Sequence, residues 1–168
     1  MTNVYLLLGG LFSWDGPVSS AGMFGLASQL RGLPGVSVTT YNWGDWQTAE
    51  ADIRAAVLVG PPFPKIAIIG FSGGGTRATY LANSLAYVQI NLMVLYDPSP
   101  SYQMEPIGQN VRKAISYTNS APWFFGYGGG VLTGKAPITL VPIAEWHMSV
   151  QADQNLHGQT VAAVEELG

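Results

Sequence analysis

Apolar residues fall along this chain in short dense runs punctuated by glycine and proline, and the runs alternate between two periods. Residues 4–8, Val-Tyr-Leu-Leu-Leu, form a continuous apolar stretch ending in Gly9-Gly10, the pattern of a strand buried on both faces of a parallel sheet. From about residue 20 to 31 the spacing changes. Met23, Leu26, Ala27 and Leu30 recur every three or four positions, which predicts a helix stopped by Leu33-Pro34-Gly35. Residues 36–41 are β-branched and aromatic and predict a second strand. A loop over 42–46 follows, with Thr48 as N-cap of a helix reaching about residue 59 and Glu50 and Asp52 in its first turn. Residues 65–69 predict a third strand, and a helix then runs from near Thr76 to about residue 87. Further strands are predicted over 91–96, 111–117 and 137–143, and a closing helix over 155–167.

Strands that alternate with helices across short connections predict an α/β fold: a doubly wound, mostly parallel sheet of five or six strands, flanked by helices on both faces. The first and third strands are expected to be neighbours. The 168 residues read as one domain, 1–168, with an aromatic and glycine-rich stretch over 118–136 suited to a small lid. The opening residues lack a basic n-region and read as a strand, so a cytoplasmic or virion-associated protein is expected. No apolar run is long enough to span a membrane. Charged residues make up only 10% of the chain and the net charge is −3 without a basic cluster, which argues against nucleic-acid binding. With no cysteine, disulfides and thiolate-held metals are excluded. No cofactor or metal is expected, and nothing indicates an oligomeric state.

The candidate chemistry lies where the third strand turns into its helix. Gly70-Phe71-Ser72-Gly73-Gly74 is a G-x-S-x-G pattern, in which a serine on a sharp strand-to-helix turn is pushed clear of the sheet. Its glycines let neighbouring backbone approach, and the helix behind it aims amides at developing negative charge. Asp97 follows the fourth strand and His147 the last, so all three fall at the carboxyl edge, where α/β sheets carry their sites. A serine hydroxyl needs a neutral histidine to take its proton, and a carboxylate to orient that histidine. The oxyanion would be met by the amides of Gly73 and Leu11. Only one other histidine exists, His157, at a helix start where a surface or capping role is expected, and Asp153 is the reserve acid.

These features resemble the α/β-hydrolase superfamily in a minimal form, similar to small bacterial and phage lipase- or esterase-like proteins without a cap domain. The resemblance rests on Gly9-Gly10-Leu11-Phe12-Ser13 after the first strand, the Gly-Phe-Ser-Gly-Gly elbow, the strand running into Asp97-Pro98, Gln109-Asn110-Val111, and a late histidine before a final helix. It implies a serine hydrolase acting on carboxylic esters, with Ser72 as nucleophile, His147 as general base and Asp97 as orienting acid. Gly9 departs from the polar residue usual there, which would loosen the oxyanion loop, and Phe71 stands where histidine is commonest. Phe12, Trp14, Trp43 and Trp123 are the candidate substrate-binding aromatics, for a small-molecule ester with an apolar acyl part. Two other readings compete. One is a non-catalytic binding or structural protein on the same fold. The other is an ATP-binding enzyme using the Ser-Gly-Gly-Gly loop, which lacks the aspartate, final serine and lysine of known phosphate loops.

Overall fold

Each continuous apolar run becomes a strand whose pleat divides it between two faces. The computed structural model describes residues 1–11, 14–15, 20–59, 64–100, 103–119 and 129–168, with the backbone alone at 11, 14 and 15. In its first strand, β1 (Thr2–Leu7), Val4 and Leu6 enter one core cluster while Tyr5 and Leu7 enter another on the opposite side. An antiparallel pair follows, β2 (Gly10–Leu11) with β3 (Trp14–Asp15), and then α1 (Ala21–Arg31). Next come β4 (Val36–Tyr41), a 3₁₀ turn (Trp43–Asp45), α2 (Trp46–Val59), β5 (Lys65–Phe71) and α3 (Gly73–Ser84). The second half holds β6 (Leu92–Tyr96), β7 (Ala114–Asn119), β8 (Ile138–Ile143), α4 (His147–Val150) and α5 (Gln154–Glu165).

Six strands form one parallel sheet in the order β4-β1-β5-β6-β7-β8. Helices cover both faces: Ala49 and Ile53 of α2 and Ala78, Leu81 and Ala82 of α3 pack on one, and Met23, Leu26 and Leu30 of α1 with Ala163 and Val164 of α5 on the other. β1 and β5 are neighbours, as expected. The winding reverses between them, because β4 lies on one side of β1 and β5 on the other. Such a switch point opens a crevice at the carboxyl ends of the strands.

Register brings the candidate site segments level. Leu7 pairs with Gly70 and Phe71 with Tyr96, so Gly9 comes beside Ser72, and Ser72 beside Asp97. Of the sequence expectations, β4 matches its predicted span, while several ends differ. The loop predicted over 42–46 is a 3₁₀ turn, closed by the Asp45 amide donating to the Asn42 carbonyl at 3.0 Å, and it feeds α2 from Trp46, so Thr48 lies inside the helix. α3 stops at Ser84, not near 87, because Asn110 Nδ2 donates to the Ala82 carbonyl at 2.9 Å and to that of Leu85 at 3.1 Å. β7 begins at Ala114 rather than 111, since Val111 makes only an isolated bridge to Ile90. The stretch placed in a loop at Gly10 and Leu11 is β2. Residues 120–128 of the expected lid lie outside the described residues. Among the described residues no helix is long and apolar enough to cross a membrane.

Candidate active site

The turn after β5 carries clear local strain. Ser72 has φ 53° and ψ −122°, a region that side chains rarely occupy and that clusters at functional sites. Tight packing holds it there. A Cβ on Gly70 would stand 2.6 Å from the Gly74 carbonyl oxygen, and one on Gly74 would press into the Leu7 and Leu8 carbonyls of the neighbouring strand. Only glycine lets β1, β5 and α3 approach this closely. Gly73, in contrast, meets nothing nearer than 3.6 Å. The Ser72 amide donates to the Tyr96 carbonyl at 3.0 Å, and the Ser72 carbonyl accepts from Thr76 and Ser99. Both ends of the elbow are therefore tied to β6 and α3.

Asp97, one strand over, is the only other described non-glycine residue with positive φ, at 41°. Its carboxylate is wholly buried. Oδ1 accepts from the Asn119 amide at 3.0 Å and the Gly129 amide at 2.7 Å, and Oδ2 faces His147 Nδ1 at 2.7 Å. Two backbone donors on one oxygen leave the other free to orient the ring. Because a carboxylate only accepts, Nδ1 carries the proton, and Nε2 is left as an acceptor. That nitrogen lies 2.9 Å from Ser72 Oγ. The imidazole is buried and stacks on Phe71, ring centroids 5.1 Å apart. Phe71 thus packs against the ring that abuts the serine.

Gly9 takes a different role from the one its sequence suggests. It is gripped, not loose: its amide donates to Ser20 Oγ at 2.9 Å, and a Cβ there would stand 2.6 Å from the Phe71 ring. Beyond it, the Gly10 carbonyl oxygen lies 3.6 Å from where a Gly73 Cβ would be, so the segments bearing the Leu11 and Gly73 amides are adjacent. Trp43 is half-buried beside Gly73, and the Arg77 guanidinium lies over both Trp43 and Tyr80, 5.6 and 5.0 Å from the ring centres. Nearby Trp46 packs on Tyr80 and the core. Phe12 and Trp123 lie outside the described residues, as does the side chain of Trp14.

The two alternative residues lie elsewhere. Asp153 caps α5, its Oδ1 accepting from the Asn155 and Leu156 amides at 2.8 and 3.0 Å. His157 is not at the surface as expected; it is fully buried in the first turn of α5, where its Nε2 donates to the Gln151 carbonyl at 2.7 Å. Two residues beside the site escaped the sequence reading. Asn119 joins the Asp97 and His147 segments, its amide on Asp97 and its Nδ2 donating to the Glu145 carbonyl at 2.6 Å. Its signal was position, a polar side chain at the carboxyl end of a sheet strand. Trp146, adjacent to His147 in sequence, is 62% exposed.

No protein-family model matches this sequence, and no curated protein matches it. Solved structures do. A thioesterase of the prodiginine pathway in Streptomyces coelicolor superposes with a TM-score of 0.62 at 9% identity, covering 96% of this chain and 90% of that one. An esterase of Pyrobaculum calidifontis gives 0.58 at 13% identity, covering 99% and 76%. A lidless α/β serine hydrolase of Xanthomonas campestris gives 0.57 at 15% identity, covering 98% and 82%. The chain has the α/β-hydrolase fold along nearly its whole length.

Proposed function

We propose that this protein is a serine hydrolase that cleaves carboxylic esters through an acyl-enzyme on Ser72. The observation that carries the reading is the unbroken line from Ser72 Oγ through both nitrogens of His147 to Asp97, 2.9 and 2.7 Å long at its two links. In the first half-reaction Ser72 Oγ attacks the ester carbonyl carbon while its proton passes to His147 Nε2. Asp97 stabilises the imidazolium and takes no proton. The tetrahedral oxyanion is met by the amides of Gly73, at the first turn of α3, and Leu11, and one such donor lowers the barrier by about 3 kcal/mol. Collapse breaks the bond to the alkoxide, which leaves with the proton from Nε2. Water then gives its proton to Nε2, attacks the acyl carbon and releases the acid, returning the proton to Ser72.

The acyl part we assign is apolar and of short to medium length. Half-buried Trp43 beside Gly73 and exposed Trp146 beside His147 support this, as does the low charge of the chain. Nothing comparable supports the nucleotide reading, whose phosphate would have to sit on a loop tightly packed against β1. The test is hydrolysis of p-nitrophenyl esters from acetate to palmitate. Activity that peaks at short or medium chains and vanishes in Ser72→Ala and His147→Ala supports the reading. Inactivity on every ester, or full activity in Ser72→Ala, refutes it.

A further inference from the structure

His147 rides on a helix of a single turn. α4 spans four residues, far too few to hold its own geometry in water. Its position therefore comes from what grips its ends. Ahead of it Asn119 holds the Glu145 carbonyl. Behind it Gln151 is the C-cap, and its carbonyl oxygen is held by His157 Nε2 at 2.7 Å. The same carbonyl lies against Gly22 of α1, where any Cβ would strike it. Within the turn the Val150 amide donates to the Trp146 carbonyl at 3.1 Å and closes it.

The partners of His157 settle which nitrogen is protonated. A carbonyl only accepts, so Nε2 bears the hydrogen. Nδ1 faces the Gln154 amide nitrogen at 3.5 Å. That amide is oriented by its other bonds: Gln154 Oε1 accepts from Gln29 Nε2 at 3.0 Å, and Gln154 Nε2 donates to the Ala152 carbonyl at 3.1 Å. Its NH₂ group is thus turned toward Nδ1, which stays an acceptor. Burial also lowers the pKa of His157 below 6.5, in keeping with a neutral ring.

We propose that His157 is a positioning residue, whose Nε2–H holds the Gln151 carbonyl and thereby fixes α4 so that His147 stays within reach of Ser72. The proposal rests on the reaction proposed above. His157 touches neither the reacting atoms nor any surface a substrate reaches. A packing role alone would need only the bulk of the ring, which meets Tyr96 edge-on at 6.1 Å.

Substitution separates the two roles. His157→Gln keeps an amide donor close to the Nε2 position, and His157→Phe keeps bulk without a donor. On p-nitrophenyl butyrate, kcat should fall about 30-fold in His157→Phe with KM within about twofold of wild type, and stay within about threefold in His157→Gln. A readout without turnover runs beside it. The proton on His147 Nδ1, held against Asp97, should give a slowly exchanging downfield NMR signal in wild type and His157→Gln, broadened away in His157→Phe. A folded His157→Phe protein with wild-type kcat and an intact signal overturns the proposal, as does a His157→Gln protein as impaired as the Phe variant. The wild-type ring supplies a check that needs no variant, since nitrogen-15 shifts showing the proton on Nδ1 of His157 also overturn it. If wild type turns over no ester, the esterase reading falls and the NMR comparison still decides the positioning role.

Discussion

Ser72 and His147 lie 2.9 Å apart, yet the segments that deliver them are held in opposite ways. The serine arm is central. β5 has paired neighbours on both sides, every residue after Lys65 is buried, and the turn is locked by backbone packed on backbone at Gly70 and Gly74. The histidine arm is peripheral. β8 is an edge strand with half of its residues exposed, and Pro142 sits in it, as proline does at sheet edges. After it comes one turn of helix secured by two side chains from elsewhere, Asn119 and His157. Close packing is felt at every methylene, whereas side-chain clamps fail one at a time. The proposed nucleophile is thus built into the core, while the proposed base is suspended from it.

The contrast can be broken first at its chemical centre. Ser72→Ala should lower kcat by at least about 10⁴-fold in steady-state ester hydrolysis, because the remaining groups form no acyl-enzyme. Next comes the packing of the serine arm. Gly74→Ala should cost about 3 kcal/mol in urea unfolding, since its new methyl meets rigid carbonyls on β1, while Gly73→Ala should stay within about 1 kcal/mol of wild type. Equal costs at the two positions would contradict the packing account. On the histidine arm the balance reverses. Asn119→Ala should lower kcat about tenfold through a misplaced His147, measured at a temperature where the variant remains folded.

The smallest effect is one of pH. Burial lowers the pKa of His157, outweighing the Gln151 carbonyl and Asp153, which both raise it. The unfolded chain therefore takes up this proton first as pH falls. The contribution is fully present above about 6.5 and is lost as pH drops from there through the lower folded value. His157→Gln should flatten that part of the stability curve, measured by urea midpoints across the range.

The same division explains what could be read from sequence. The presence of β1 and β5, the span of β4 and the glycine elbow follow from local pattern, because strand period, turn chemistry and strand-to-helix geometry act over a few residues. The order of Ser72, Asp97 and His147, each just past the end of a strand (β5, β6 and β8), was legible for the same reason. The end of α3 was not, since its stop signal is Asn110, far along the chain. The burial of His157 was hidden likewise. A histidine between Leu156 and Gly158 looks like a helix-start residue until α5 packs against the sheet and buries it. Gly9 misled in the same way, for its need to be small comes from Phe71 on the neighbouring strand.

The most direct test of the central claim is covalent labelling by a p-nitrophenyl alkylphosphonate, followed by peptide mass spectrometry of wild type and His147→Ala. The account predicts one adduct, on Ser72, with release of one nitrophenolate per chain, and labelling slowed at least about 10³-fold in His147→Ala. A folded wild-type protein that takes no label, or takes it at another residue, would contradict it.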